Sequence, residues 1–227
     1  MLVIFDCDGV LVDSEPIAFG CDLAAVRALG LGWDQSECTR RFLGRSTRSC
    51  IEIVEAELGR PVPANWADDL HAATLAAFRA QGVPAVPGIA AVLDTLEAAK
   101  VPYCVASSGE IAKMRVTLGS AGLWPRFERQ LFSSTMVARG KPAPDLFLHA
   151  AGAMGAAAGD CVVVEDAVAG VQAGVAAGMR VLAYVGGAYA DRAGLKQAGA
   201  ELFDDMARLP RLLGLAALPS PAYSPGP

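Results

Sequence analysis

Short apolar runs recur along the chain, and a stretch with helical spacing follows most of them. The runs cover residues 2–5, 102–106, 130–132, 161–164 and 180–184. They are largely continuous rather than alternating, as expected of strands that are covered on both faces. Strands that alternate with helices predict an α/β fold with a Rossmann-like parallel sheet. In such a sheet the carboxyl ends of the strands lie at one edge.

The stretch from residue 16 to residue 86 departs from this rhythm, because it contains helix signals and no convincing strand. Pro16 suits the first turn of one helix, and Asp34 with Glu37 forms a D-x-x-E capping pattern for a second. Ser46 and Gly59 bracket a third predicted helix.

A fourth predicted helix lies between Asn65 and Gly82. We therefore predict a helical cap at residues 16–86, inserted into an α/β core formed by residues 1–15 and 87–227. Residues 219–227 contain four prolines, and we expect a frayed tail there.

Charge and composition restrict the partners. The formal net charge is -5, and the basic residues form no cluster that would bind nucleic acid or an anionic membrane. No apolar stretch is long enough for a membrane span, and the first residues lack the pattern of a signal peptide. We expect a cytoplasmic protein, a monomer or weak dimer, that acts on a small molecule.

Polar residues follow four of the apolar runs, at the positions where a parallel sheet brings strand ends together. They are Asp6 and Asp8 after the first run, Ser107 and Ser108 after the second, Lys141 past the third, and Glu165 and Asp166 after the fourth. Four carboxylates at one edge repel each other unless a cation neutralises them. Oxygen ligands of this kind suit Mg²⁺, which also shares a substrate phosphate.

These motifs resemble those of the haloacid dehalogenase superfamily, in its phosphatase and phosphomutase branch with a helical cap. The resemblance covers nearly the whole chain and implies a covalent aspartyl-phosphate mechanism. It implies that Asp6 is the nucleophile and that Asp8 is the general acid and base. Asp8 together with Asp166 favours phosphoryl transfer over dehalogenation, because a departing halide needs neither a proton nor this acidic pair.

The same resemblance implies the ligands of the metal and the phosphate. Mg²⁺ is expected on Asp6, the backbone carbonyl of Asp8 and Asp166, with Glu165 ordering the metal through water or serving a structural role. Ser107, Ser108 and Lys141 are expected to hold the transferring phosphoryl group. For substrate recognition the candidates are Glu15, Arg45, Arg48 and Lys113, each of which also fits a solvated charge or a hinge contact.

Three functions remain to be separated. The first is a phosphatase acting on a sugar phosphate or sugar-acid phosphate, similar to members that hydrolyse 6-phosphogluconate. The second is a phosphomutase resembling β-phosphoglucomutase, which has the same motif set. The third is a phosphorylation-controlled receiver domain, which is disfavoured because receivers are shorter and carry their acidic pair before the phosphoacceptor strand.

Two further patterns predict packing rather than chemistry. Gly170, Gly174 and Gly178 recur every four residues, which places them on one helix face and predicts a close helix–sheet contact. Gly178 is a candidate for the position just past a helix end. Trp33, Trp66 and Trp124 lie near predicted helix boundaries and are expected to bury hydrophobic area.

Overall fold

The computed structural model describes residues 1–43 and 47–215, so the predicted recognition residue Arg45 and the predicted tail at residues 219–227 lie outside the described residues. Six strands form one sheet in the order β3-β2-β1-β4-β5-β6, and all neighbours are parallel. This is the strand order of Rossmann sheets, so the predicted fold class is confirmed. The strands are β1 (Leu2–Phe5), β2 (Tyr103–Ser107), β3 (Leu131–Ser133), β4 (Cys161–Glu165), β5 (Arg180–Tyr184) and β6 (Glu201–Phe203).

The sequence prediction missed β6. This strand has three residues, begins with an exposed glutamate and pairs with β5 alone at the sheet edge. So short a segment carries too little apolar periodicity to be recognised, and it is fixed as a strand by its pairing.

Eleven α-helices lie in the described part of the chain. They are α1 (Glu15–Ala28), α2 (Gln35–Phe42), α3 (Thr47–Leu58), α4 (Trp66–Gln81), α5 (Ile89–Ala98), α6 (Ile111–Ser120), α7 (Trp124–Phe127), α8 (Asp145–Ala153), α9 (Val168–Ala176), α10 (Arg192–Gln197) and α11 (Leu209–Leu212).

Helices cover both faces of the sheet, which explains the continuous apolar runs. In β1, Val3 and Phe5 belong to one buried cluster, and Leu2 and Ile4 belong to another. The first cluster includes residues of α5, α6 and α11, and the second includes residues of α8 and α9. Because alternate side chains of a strand point to opposite faces, a strand between two helix layers has no polar positions.

Local signals set the ends of the helices before β2. Pro16 lies in the first turn of α1, and the Asp34 side chain accepts a 2.7 Å hydrogen bond from the backbone N–H of Glu37 at the start of α2. Gly59 and Gly82 follow the ends of α3 and α4 with positive φ angles of 66° and 75°. The predicted helices at these positions are confirmed.

Helices α1–α4 bury a cluster of their own, separate from the two sheet clusters, with Phe19, Trp33, Phe42 and Trp66 among its members. The two chain segments that join these helices to the sheet are hydrogen-bonded to each other. The N–H of Asp13 donates to the carbonyl of Pro84, and that of Val86 donates to the carbonyl of Leu11.

We propose on this basis that residues 16–86 form the cap, with the remainder as the core. The cap is not fully detached, because Phe78 near the end of α4 is completely buried in the sheet cluster that also contains residues of α6. Within the described residues, no helix combines the length and the apolar character needed to cross a bilayer.

The predicted glycine contact is confirmed at Gly174 of α9. A Cβ at this position would lie 2.7 Å from a methyl group of Val181 and 3.5 Å from Val163, so the helix approaches β4 and β5 more closely than a side chain permits. Gly178, just past α9, has a φ of 72°. Both glycines are therefore required by the backbone geometry.

We predict that Gly174→Ala lowers the free energy of unfolding by about 1–3 kcal/mol through overpacking. Gly152→Ala in α8 is the matched control, because a Cβ there meets nothing within 4 Å, and it should stabilise by about 0.5–1 kcal/mol. Urea unfolding of both variants measures the difference. Equal effects of the two substitutions would contradict the close contact.

Candidate active site

The carboxyl ends of β1 and β4 form the centre of the site. Asp6 follows β1 directly, Glu165 is the last residue of β4, and Asp166 follows it. These strands are neighbours at the point where the strand order reverses, where open α/β sheets bind their ligands. The strand pairing thus brings Asp6 together with Glu165 and Asp166, which lie about 160 residues later in the sequence.

Lys141 joins two of these carboxylates. Its Nζ donates to Asp6 Oδ1 at 2.5 Å and to Glu165 Oε1 at 2.7 Å, and its side chain is only 5% exposed. Burial alone would lower the pKa of this lysine, but the adjacent carboxylates of Asp6 and Glu165 outweigh burial and raise it. Lys141 is therefore a fixed positive charge beside Asp6.

Both carboxylate oxygens of Glu165 are occupied. One accepts from Lys141, and the other accepts from the backbone N–H groups of Asp166 and Ala167, each at 2.8 Å. A Cβ at Gly170 would overlap the Glu165 carboxylate, so α9 packs directly against it. This arrangement favours a structural role for Glu165, which holds Lys141 in place, over direct metal ligation.

Asp8 is oriented by two donors from different parts of the chain. Ser14 Oγ donates to Asp8 Oδ1 at 2.5 Å, and Lys113 Nζ donates to Asp8 Oδ2 at 2.8 Å. Burial lowers the pKa of Lys113, but the contact with Asp8 outweighs it and the net pKa is raised. The structure therefore places Lys113 on Asp8, whereas the sequence suggested it for substrate recognition.

The loop after β2 presents Ser107 and Ser108 to the catalytic cleft, which Asp6, Asp8 and Asp166 also line. Ser107 Oγ accepts a 3.0 Å hydrogen bond from the N–H of Gly109. The loop backbone is held from β3, since the Ser133 hydroxyl donates to the Gly109 carbonyl and the Ser134 hydroxyl donates to the Ser108 carbonyl. The turn is therefore held by Ser133 and Ser134 from outside and by the Ser107 hydroxyl from within.

The acidic residues fit a divalent cation. Oxygen atoms of Asp6, Glu165 and Asp166 lie within 4.8 Å of one another. Burial raises the pKa of Asp6 to about 7, with Glu165 and Asp8 adding to this effect and Lys141 opposing it. Burial also raises the pKa of Asp166, and the neighbouring carboxylates of Glu165 and Asp6 add to this effect. One lysine does not balance these charges, and oxygen donors of this kind suit Mg²⁺.

The predicted recognition residues separate into two groups. Glu15 lines the cleft together with Asp6 and Asp8. Its burial raises its pKa to about 7, and the nearby carboxylates of Asp13 and Asp8 add to this effect. Arg48 does not reach the cleft, because its side chain is 90% exposed and pairs with Glu52 at 3.1 Å on the surface of α3.

Sequence reasoning missed Ser14, which carries no motif signal and acts only through Asp8.

Comparison with known proteins identifies the class. Residues 1–178 match the haloacid dehalogenase-like hydrolase family, and the chain belongs to this family. It is an enzyme that hydrolyses phosphoric monoesters, as its relatives of similar length indicate. Its substrates are small phosphorylated metabolites, the class of compound on which these relatives are named as acting.

Three proteins illustrate the similarity. The chain is 36% identical to 6-phosphogluconate phosphatase of Escherichia coli K12 over 79% of this chain and 80% of that protein. It is 34% identical to hexitol phosphatase A of the same organism over 79% of this chain and 81% of that protein. The chain is 31% identical to a family hydrolase from Deinococcus radiodurans R1, whose crystal structure contains bound phosphate and sodium. The two structures superpose with a TM-score of 0.80 over 94% of each chain.

We predict that Mg²⁺ stabilises the protein more at about pH 8 than at about pH 6. In the metal-free protein the raised pKa values of Asp6 and Asp166 mean that the folded state binds more protons than the unfolded state, so stability falls as pH rises towards about 7. A cation replaces these protons, and its binding tightens as they leave. Thermal melting with and without Mg²⁺ measures this, with Asp166→Asn as the variant that should lose most of the shift. An equal shift at both pH values, or an undiminished shift in Asp166→Asn, would contradict the assignment.

We also predict that Glu165→Gln lowers kcat about 10- to 100-fold while the fold is retained. The amide keeps an acceptor for the backbone N–H groups but no longer holds Lys141 by charge. Glu128→Gln, which changes an exposed glutamate after α7, is the control and should leave kcat unaltered. Steady-state kinetics and circular dichroism report the two effects, and wild-type kcat in Glu165→Gln would exclude this positioning role.

Proposed function

We propose that the protein is a Mg²⁺-dependent phosphatase that hydrolyses a sugar phosphate or sugar-acid phosphate through a phospho-aspartate at Asp6. The observation that carries the proposal is the pairing of two differently held carboxylates. Asp6 is bound to Lys141 and surrounded by other acids, whereas Asp8, two residues away, is held by Ser14 and Lys113. Asp6 beside a fixed positive charge suits the nucleophile, and Asp8, held in the same cleft by two donors, suits the group that passes a proton to and from the reacting oxygens.

In the first step an Asp6 oxygen attacks phosphorus, and the bond between phosphorus and the ester oxygen breaks. Asp8 gives its proton to the departing alkoxide. The Ser107 hydroxyl, Ser108 and Lys141 hold the other phosphoryl oxygens, because they line the same cleft. Lys141 also offsets the repulsion between the Asp6 carboxylate and the phosphate.

In the second step a water molecule attacks the phosphorus of phospho-Asp6. Asp8, now ionised, takes the proton of this water, and the bond between Asp6 and phosphorus breaks to release phosphate. Ser14 and Lys113 keep the carboxyl group of Asp8 in place for both proton transfers. Positioning of this kind is the contribution that we assign to Lys113.

The acidic residues at the edge of the sheet would hold Mg²⁺ through Asp6, the backbone carbonyl of Asp8 and Asp166. When bound, the ion supplies positive charge that reduces the repulsion between the nucleophile and the phosphate. The relatives named as phosphatases of 6-phosphogluconate and of hexitol phosphates support a substrate of this size.

We predict that Asp6→Asn lowers phosphate release by about a thousandfold or more across a panel of sugar phosphates and sugar-acid phosphates, because the amide is not a nucleophile. Chelation of divalent ions should abolish release as well. Asp160→Asn is the control, since it makes the same change at an exposed aspartate beside the opposite end of β4. The assay measures orthophosphate.

Two results would reject the proposal. One is undiminished phosphate release by Asp6→Asn or in the presence of excess chelator. The other is conversion of one sugar phosphate isomer into another, dependent on a bisphosphate activator and without net phosphate release, which would identify a phosphomutase instead.

A further inference from the structure

The ammonium group of Lys113 has an aromatic neighbour in addition to the Asp8 carboxylate. Its Nζ donates to Asp8 Oδ2 at 2.8 Å and lies over the ring of Phe78, 5.8 Å from the ring centroid. The face of an aromatic ring carries partial negative charge and attracts a cation within about 6 Å of its centroid. Two groups therefore attract the charge of Lys113, and one of them is a hydrocarbon ring.

Phe78 reaches Lys113 from a different part of the chain. It lies near the end of α4, whereas Lys113 lies in the first turn of α6. The Phe78 ring is completely buried, in the cluster that also contains Met114 and Leu118 of α6. Because close packing restricts a buried ring, Phe78 offers Lys113 a fixed surface.

Without such a surface the Lys113 side chain would be weakly held. Within the described residues its Nζ has no hydrogen-bond acceptor other than Asp8, and its side chain is 26% exposed. A lysine has many rotamers, and a partly exposed ion pair alone compensates poorly for the entropy lost in holding one of them. The loop after β2 restrains the methylene stem, because a Cβ at Gly109 would lie 3.4 Å from Lys113 Cδ. The Phe78 ring restrains the ammonium end.

Phe78 does not act on the substrate directly, because its ring is completely buried. The competing explanation of its contact is ordinary packing, which every phenylalanine of the cluster provides. Phe127 of α7 supplies the comparison, since it is also completely buried in this cluster and its ring packs against Tyr103 with the centroids 5.3 Å apart. Among the described residues no cation lies over the ring of Phe127. The two phenylalanines therefore differ in their contact with a cation.

We propose that Phe78 is a positioning residue: its ring fixes Lys113, and through Lys113 the carboxyl group of Asp8, for the transfer of a proton to the leaving group. The proton moves from Asp8 to the ester oxygen as the bond between that oxygen and phosphorus breaks. This inference rests on the proposed function, because it takes the acid role of Asp8 as given. It assigns a residue of α4 to a step that takes place at the sheet edge.

The test compares esters whose leaving groups differ in their need for this proton. Glucitol 6-phosphate and 6-phosphogluconate release an alkoxide, which must be protonated, whereas acetyl phosphate releases acetate, which is stable as an anion. The measured quantity is kcat/KM, which covers the steps up to the first phosphoryl transfer. The ratio of kcat/KM for each alkyl ester to that for acetyl phosphate, here called the ester ratio, reports how well Asp8 supplies the proton.

In Phe78→Leu the ester ratio should fall about three- to tenfold, because the side chain stays apolar but loses the ring face. Phe78→Met, whose flexible chain fills the space of the ring, should give the same fall and replaces Phe78→Leu if that variant does not fold. Phe127→Leu is the matched control, since it makes the same change in the same cluster. It should leave the ester ratio as in the wild type while losing stability to a similar extent, which urea unfolding measures.

A double-mutant cycle tests whether Phe78 acts through Lys113. Lys113→Met removes the ammonium group and should lower the ester ratio at least about tenfold. Adding Phe78→Leu to Lys113→Met should lower the ratio no further, because the ring then has no cation to hold. A purely structural effect of Phe78 would instead multiply with the effect of Lys113→Met.

Either of two results would overturn the inference. One is an ester ratio in Phe78→Leu and Phe78→Met equal to that in Phe127→Leu. The other is a double variant in which the two losses multiply. Hydrolysis of acetyl phosphate by Asp6→Asn separates this inference from the proposed function: its loss leaves the proposed function in place, whereas its persistence overturns both.

Discussion

The site depends on the balance of charge at one edge of the sheet. The fold brings Asp6, Glu165 and Asp166 within 4.8 Å of each other, and burial raises the pKa of Asp6 and Asp166. Lys141, bound to both Asp6 and Glu165, neutralises part of this charge. The remaining negative charge suits a divalent cation, which is the reason for proposing Mg²⁺ at this edge. The same repulsion therefore accounts for the buried lysine and is the physical basis of the proposed Mg²⁺ site.

The strand ends could be predicted from the sequence because each of them combines an apolar run with a polar residue at its carboxyl end. Asp6, Ser107 and Asp166 were placed in this way, and the parallel sheet does bring them to one edge. β6 could not be recognised, since only its pairing with β5 defines it. The contacts of Ser14 and Lys113 with Asp8 depend on the path of the chain between elements, which periodicity does not determine.

Prediction from the sequence is more limited still for the cap. The sequence indicates where its helices begin and end, through Pro16, Asp34 and Gly82, but not which faces meet. Phe19 of α1 and Trp66 of α4 belong to one buried cluster and come together only through tertiary packing.

The proposed covalent role of Asp6 is tested most directly by trapping the phospho-aspartate. Acetate leaves acetyl phosphate without needing a proton, so an Asp8→Asn variant should still transfer the phosphoryl group to Asp6 but should activate water poorly. Mass spectrometry of this variant after mixing with acetyl phosphate and Mg²⁺ should find one phosphoryl group on the peptide that begins at residue 1, located at Asp6. A peptide without added mass during continued turnover, or a phosphoryl group on any other residue, would contradict the account.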